Sequence, residues 1–159
     1  MNINEKNIKF RNLKGKLVSI AAPAYDEEDN LVMFCDAVKN AIEKKTKNYE
    51  IIIVENGSKD GSYELLKKLN KENKKIKYIK LSRNFGYYGG ILAGMDHSSG
   101  DILITMDSDL QHPPSLIPEL IGKWEEGYDV VGTKKSSNKQ NGILRKTSNK
   151  IFYIIMEYI

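Results

Sequence analysis

The chain has 159 residues, 40% of them hydrophobic and 29% charged, which is typical of one globular domain and excludes collagen-like and wholly disordered proteins. The single cysteine, Cys35, excludes an intramolecular disulfide and a multi-cysteine zinc site, and we expect it to be a small buried hydrophobic residue. The net charge of +4 arises from residues 134–150, whose six basic residues are accompanied by no acidic residue, so a general affinity for nucleic acid is not expected.

Short apolar runs alternate with apolar residues at helical spacing along the chain. The predicted strands are residues 17–22, 49–54, 77–81, 102–106 and 128–132. The predicted helices are residues 31–42 with Asp29 or Asn30 as N-cap, 65–69, 89–97, 116–124 and 143–159. This alternation predicts one α/β domain with a mostly parallel, Rossmann-like sheet covered by helices on both faces. The first run ends where Pro23 is expected to stop the strand.

Polar segments follow four of the predicted strands. They are residues 23–28, 55–60, 82–86 and 107–112. Each segment taken singly has the composition of an ordinary turn. Ligands of such sheets bind outside the carboxyl ends of the strands, so the four segments together predict one polar site at that edge.

The segment Asp107-Ser108-Asp109 is the most informative of the four. Two carboxylates about 4 Å apart repel each other by roughly 4 kcal/mol at an effective dielectric of 20. A divalent cation reverses that penalty, and Mg²⁺ and Mn²⁺ are commonly held by one or two carboxylates together with substrate phosphates. The motif therefore predicts a site for a cation and a diphosphate, with His112 as a further candidate contact.

The polar segments together resemble those of the family 2 glycosyltransferases. The similar stretches are residues 19–31, 53–62, 81–86 and 99–114, and the resemblance extends over about residues 15–155. Gln111 and the double proline that follows point to the branch with dolichol-phosphate mannose synthase and the bacterial polyprenyl-phosphate glycosyltransferases. The resemblance implies a GT-A fold in a single domain, residues 1–159. It also implies a nucleotide-sugar core at about residues 15–135 and the start of a basic, acceptor-side segment at residues 136–159.

The resemblance implies a function as well. An inverting glycosyltransferase would transfer sugar from a UDP- or GDP-linked donor to a polyprenyl phosphate in cell-envelope or surface-glycan synthesis, using Mg²⁺ or Mn²⁺. The site would be cytoplasmic, at the inner face of the membrane with possible peripheral contact, and the chain would be part of a longer enzyme.

A nucleotide-sugar-binding module or fragment without turnover is the alternative. A phosphoacceptor signalling domain is disfavoured because it leaves residues 107–111 and 55–58 unexplained. The sugar, the base and the oligomeric state stay open.

The resemblance assigns roles residue by residue. The nucleotide-binding residues would be Pro23, Ala24, Tyr25, Glu27, Glu55, Asn56, Arg83, Asp107 and Ser108. The metal ligands would be Asp107 and Asp109, and the catalytic group would comprise Asp107, Asp109, Gln111 and Arg145. Glu55 and Asn56 depart from the family, which usually has two aspartates there, and the Asn amide donates where a carboxylate only accepts. Tyr87, Tyr88 and Trp124 are expected to pack in the core or at the sheet edge.

Overall fold

The computed structural model describes residues 9–133. Its centre is a parallel sheet in the order β3-β2-β1-β4, in which β1 pairs with both β2 and β4. The strands are β1 (Val18–Ala24), β2 (Tyr49–Glu55), β3 (Ile76–Lys80) and β4 (Ile102–Thr105). The predicted parallel α/β architecture is confirmed.

Four helices follow the four strands. They are α1 (Glu28–Ile42), α2 (Ser62–Glu72), α3 (Gly86–Asp96) and α4 (Ile117–Glu125), the last preceded by a 3₁₀ turn at Pro114–Leu116. The predicted N-cap of α1 at Asp29 or Asn30 is wrong. The carbonyl of Glu27 accepts hydrogen bonds from the backbone N–H groups of Asn30 and Leu31, so the helix begins at Glu28.

The strand β1 continues through Pro23, which was expected to stop it. Proline lacks an N–H and is excluded from most central strands. Backbone groups alternate in direction along a strand, and the carbonyl of Ala21 faces β4, where it accepts from the N–H of Met106. Pro23 therefore faces the same side, but the β1–β4 pairing ends at Ala21 opposite Thr105, so no ladder hydrogen bond is lost.

The core lies between the sheet and α1. Leu31, Phe34, Val38 and Ile42 recur at helical spacing and are fully buried, and a buried side chain of this size stabilises the fold by about 1.5–3 kcal/mol. Cys35 is buried among them, as expected, and burial, assisted by the nearby carboxylate of Asp36, raises the pKa of its thiol to about 12.

Helix α3 lies close to β1 because two of its glycines face that strand. A Cβ on Gly90 would lie 2.7 Å from the Cβ of Pro23, and one on Gly94 would lie 3.0 Å from the Cβ of Ala21. The glycines that lower the helix propensity of residues 89–97 are thus the residues that permit close packing. This close packing explains why the predicted helix forms despite them.

The predicted strand at residues 128–132 is wrong. No backbone ladder joins it to the described sheet. Instead, Arg11 stacks on Trp124 and its guanidinium donates to the carbonyl of Tyr128 and pairs with Asp129. Val130 is 89% exposed. Trp124 packs against the core as expected.

The predicted helix at residues 143–159 lies outside the described residues. Within residues 9–133, no helix combines the length and apolarity that crossing a bilayer requires.

Candidate functional site

A cleft of about 330 Å³ opens at the carboxyl edge of the sheet. The segments after all four strands contribute to it, as the sheet topology predicts. Its lining residues are Pro23, Ala24, Tyr25, Glu27, Asn56, Asn84, Gly86, Tyr87, Asp107, Ser108 and Asp109. Eight of these are candidate residues named from the sequence, Asn84 and Gly86 belong to the predicted segment 82–86 without an assigned role, and Tyr87 is an addition from the structure.

Reciprocal hydrogen bonds join the loop after β1 to the loop after β2. The N–H of Lys59 donates to Asp26 Oδ1 at 2.7 Å, and the N–H of Asp26 donates to Ser58 Oγ at 3.1 Å. Next to this pair, the N–H of Gly61 donates to Glu28 Oε2 at 2.8 Å. Asp26 has a φ of 54°, a conformation that Asp tolerates better than most residues. These bonds fix the wall of the cleft that carries Tyr25 and Glu27.

Asn56 ties the loop after β3 to the end of β2. Its Oδ1 accepts from the N–H of Phe85 at 2.9 Å, and its Nδ2 donates to the carbonyl of Gly86 at 3.0 Å. The side chain lines the cleft, but the residue is only 3% exposed. An aspartate could accept from Phe85 but could not donate to Gly86, so the departure from the family pattern has a structural reason here.

Glu55 lies beneath the cleft and does not line it. It is 1% exposed, and its Oε1 accepts a hydrogen bond from the N–H of Ser58. Gly57 lies between them with a φ of 76°, and a Cβ there would lie 2.5 Å from the carbonyl carbon of Arg83. Only glycine therefore allows the loops after β2 and β3 to approach this closely.

The Asp107 carboxylate is held by two side chains from different elements. The hydroxyl of Tyr87 donates to Oδ1 at 2.7 Å, and Nδ1 of His112 lies 2.9 Å from Oδ2. The hydrogen bond to Asp107 is the main cause, and partial burial the second, that raises the pKa of the Tyr87 hydroxyl to about 12. The hydroxyl therefore stays protonated and donates throughout the neutral range.

Tyr87 and Tyr88 correct the expectation of core or sheet-edge packing, because they are 52% and 79% exposed. The two rings pack edge to face, with centroids 5.4 Å apart. Sequence reasoning missed Tyr87 as a cleft residue. The available signal was its position, directly after the polar segment 82–86 at the carboxyl edge of the sheet.

The loop after β4 is anchored through Ser108 and bent at Leu110. Ser108 is 3% exposed and donates to the carbonyl of Pro23 at 2.8 Å. Oδ1 of Asp109 accepts from the N–H of Gln111 at 2.9 Å, which closes a local turn. Leu110 between them has a φ of 62°, a strained conformation for leucine. This turn leads the chain away from the cleft after Asp109.

The donors in the cleft fit a hard divalent cation that a phosphate ligand helps to hold. Asp107 and Asp109 offer carboxylate oxygens on one wall. In the described part of the chain, no three His, Cys, Asp or Glu side chains form a complete metal site. Mg²⁺ and Mn²⁺ accept such partial sites, because water and phosphate oxygens complete their coordination.

Besides Glu55, two of the predicted site residues within residues 9–133 do not line the cleft. Arg83 is exposed, and its guanidinium lies 4.8 Å from the ring centroid of Phe85. Gln111 is also exposed and follows the cleft residues along the chain. Arg145 lies outside the described residues, as do the lysines of the basic stretch.

The parallel sheet and the cleft at its carboxyl edge define an α/β domain with a candidate ligand site outside the ends of its strands. The chain belongs to glycosyl transferase family 2, whose family model matches residues 19–158. The relationship inferred from the motifs is therefore confirmed.

A relative from Salmonella choleraesuis strain SC-B67 is an undecaprenyl-phosphate 4-deoxy-4-formamido-L-arabinose transferase. It is 41% identical over 143 residues, which are 89% of this chain and 43% of that protein. The same enzyme of Salmonella typhimurium strain LT2 matches to the same extent. The chain thus spans 43% of the length of these curated relatives.

Two solved structures show the fold. A mannosyltransferase from Pyrobaculum calidifontis in complex with GDP-Man and Mn²⁺ superimposes with a TM-score of 0.58 at 16% identity, over 65% of this chain and 31% of that one. Glucosyl-3-phosphoglycerate synthase from Mycobacterium tuberculosis, with Mn²⁺, UDP and phosphoglyceric acid, gives a TM-score of 0.56 at 21% identity, over 74% and 42% respectively. The GT-A fold expected from the sequence is confirmed.

Proposed function

We propose that this chain is the donor-binding part of an inverting glycosyltransferase that transfers sugar from a nucleotide-diphosphate sugar to polyprenyl phosphate. The observation that carries the proposal is the convergence of four loops on one cleft with the Asp107 and Asp109 carboxylates on its wall. The name of the Salmonella relatives supports a polyprenyl phosphate acceptor. The bound UDP and GDP-Man of the two solved neighbours support a nucleotide donor.

The donor would occupy the cleft from its β1 side to its β4 side. Pro23, Ala24 and Tyr25 would contact the nucleoside, with Glu27 beside them, while Asn56 and Glu55 hold the loops in place. Asp107 and Asp109 would hold Mg²⁺ or Mn²⁺, which neutralises the growing negative charge of the diphosphate leaving group. Ser108 would keep these carboxylates in register with β1.

The transfer itself needs little proton chemistry from the protein. An acceptor phosphate oxygen attacks the anomeric carbon and forms the new C–O bond, while the bond to the nucleoside diphosphate breaks on the opposite face. A phosphate monoester has its second pKa near about 6, so the nucleophile is largely ionised at neutral pH. The residues must therefore align the two substrates and stabilise the leaving group. We assign that second role also to Arg83, Gln111 and Arg145.

We further propose that transfer takes place at the inner face of the cell membrane. The acceptor is a lipid, and residues 134–150 carry six basic residues without an acidic one. Basic residues near an anionic membrane surface contribute about 1 kcal/mol each to attraction. Vesicle flotation with and without anionic lipid tests this assignment. Equal recovery with neutral and anionic vesicles would contradict it.

Calorimetry of the 159-residue chain with UDP and GDP, each with and without Mn²⁺, tests the donor site. We expect one nucleotide to bind with a strong dependence on Mn²⁺. Asp109→Ala should remove that dependence, while Asp96→Ala, which alters an exposed aspartate at the end of α3, should not. If neither nucleotide shows cation-dependent binding, the proposed function is wrong.

A transfer assay separates the enzyme from a binding module without turnover. Undecaprenyl phosphate and a panel of UDP- and GDP-linked sugars are incubated with the chain and Mn²⁺, and lipid-linked sugar is quantified. Product that disappears in Asp109→Ala supports transfer. Cation-dependent nucleotide binding without any product would favour the binding module.

A further inference from the structure

Tyr87 makes a contact that the roles assigned above do not use. Its hydroxyl lies 2.7 Å from Oδ1 of Asp107, while His112 contacts Oδ2 of the same carboxylate at 2.9 Å. Tyr87 belongs to the first turn of α3, and His112 to the loop after β4. The carboxylate is therefore held between two separate parts of the chain.

This arrangement restricts Asp107 without consuming its capacity to bind a cation. An ionised carboxylate offers about four lone-pair sites, so one hydrogen bond on each oxygen leaves sites on both. The backbone is restrained as well, because the adjacent Ser108 is bound to Pro23. An Asp107 side chain fixed in this way loses less conformational freedom when it captures a ligand.

The Tyr87 side chain is about half exposed, and its ring packs edge to face on Tyr88. The Tyr87 side chain lines both the main cleft and a neighbouring cavity of about 120 Å³, and the residue is 52% exposed. A tyrosine that served only to fill the core would be buried and would not have open space on two sides. The position of its hydroxyl toward Asp107 is therefore the distinctive feature of this residue.

We propose that Tyr87 is a positioning residue for Asp107, which it holds in the orientation that captures the divalent cation together with the donor diphosphate. The inference rests on the proposed function and extends it to a residue outside the Asp107-Ser108-Asp109 motif. Partners that hydrogen-bond a metal ligand typically change metal affinity about 10- to 100-fold when they are removed.

The pair Tyr87→Phe and Tyr88→Phe tests the proposal. Both variants lose one exposed hydroxyl from adjacent positions, but only Tyr87 reaches Asp107. Calorimetry with UDP and GDP, with and without Mn²⁺, and Mn²⁺ paramagnetic resonance report cation capture directly. We expect Tyr87→Phe to weaken cation-dependent nucleotide binding at least tenfold while leaving cation-free binding and the thermal midpoint unchanged. Tyr88→Phe should bind within twofold of the parent chain.

The outcomes distinguish this proposal from the proposed function. Cation-dependent binding in the parent chain that Tyr87→Phe leaves intact, or tightens, would overturn the positioning role and leave the donor site standing. An equal loss in Tyr88→Phe, or a lowered thermal midpoint in Tyr87→Phe, would also overturn it, since both indicate general packing. The absence of cation-dependent binding in the parent chain would overturn both.

Discussion

The Ser108 hydroxyl donates a 2.8 Å hydrogen bond to the carbonyl of Pro23, just beyond the point where β1 and β4 stop pairing. The last backbone bond between these two segments joins Met106 to Ala21. Ser108 therefore continues the connection with a side chain after the backbone ladder ends. The carboxylates on either side of Ser108 depend on this bond for their position relative to β1.

We expect Ser108→Ala to lower the free energy of unfolding by about 1–3 kcal/mol, because it leaves the part-buried carbonyl of Pro23 without this partner. Cation-dependent nucleotide binding should weaken as well, since Asp107 and Asp109 lose their anchor. Urea denaturation and calorimetry measure the two effects. Ser98→Ala is the matched control, because its hydroxyl also donates to a carbonyl, that of Met95, but Ser98 follows the end of α3 that lies away from the cleft. Equal stability losses in both variants would refute the special role of Ser108.

Asn56→Asp restores the residue type usual in the family and should nevertheless destabilise this chain. The new carboxylate can still accept from Phe85, but it meets the carbonyl of Gly86 without a proton to donate. We expect a loss of about 1–3 kcal/mol in urea denaturation at neutral pH.

Asn84→Asp is the control for that variant. Asn84 is exposed, and its Oδ1 accepts from the N–H of Gly86 at 2.7 Å, a bond that a carboxylate preserves. Its change in stability should therefore be clearly smaller. A more stable Asn56→Asp chain would show that the donor half of the amide is dispensable.

The sequence predicted the sheet and most of the cleft because both follow from patterns local to each strand. Continuous apolar runs mark buried parallel strands, and ligands bind after such strands. The contact of Tyr87 with Asp107 could not be predicted, because it depends on how α3 is placed against β1 by Gly90 and Gly94. The erroneous strand at residues 128–132 has a similar origin, since Arg11 binds the backbone there from the other end of the chain.

Leu110 offers a test of the strained turn after Asp109. Its φ of 62° lies in the left-handed region, which costs a residue with a Cβ about 1–2 kcal/mol relative to glycine. Leu110→Gly and Leu110→Ala lose similar packing, so Leu110→Gly should be the more stable variant by about 1 kcal/mol. Leu120 also packs against the core but lies in α4, where glycine is less favourable than alanine by about 1 kcal/mol. Urea denaturation of all four variants should therefore show that glycine is more stable than alanine at position 110 and less stable than alanine at position 120. If alanine is the more stable residue at both positions, Leu110 is not strained.

Glu50 forms a buried polar cluster away from the cleft, where it joins the loop before β4 to β1 and β2. The residue is 3% exposed, and its Oε1 accepts from Ser19 Oγ at 2.6 Å and from the N–H of Ser99 at 2.9 Å. Its Oε2 pairs with Lys77 Nζ at 2.5 Å. Burial is the largest single influence and raises the pKa of this carboxyl, but the hydrogen bonds from Lys77, Ser19 and Ser99 together lower it below its usual value.

The lowered pKa predicts how the contribution of Glu50 depends on pH. The carboxyl of an unfolded glutamate has a pKa of about 4.3. The stabilisation by Glu50 is therefore fully present above that pH, and it is lost as the pH falls through the lower pKa of Glu50 in the folded state. We expect Glu50→Gln to lower the free energy of unfolding by about 2 kcal/mol at neutral pH, and the difference from the parent chain to shrink below about pH 4. Urea denaturation between pH 3 and 7 measures this difference in stability, with labelling of the buried thiol of Cys35 as a second reporter of opening at neutral pH.

Glu64→Gln, which removes an exposed ion pair with Lys67, should change stability little. A Glu50→Gln difference that stays constant down to pH 3 would show that the buried carboxylate does not carry the effect.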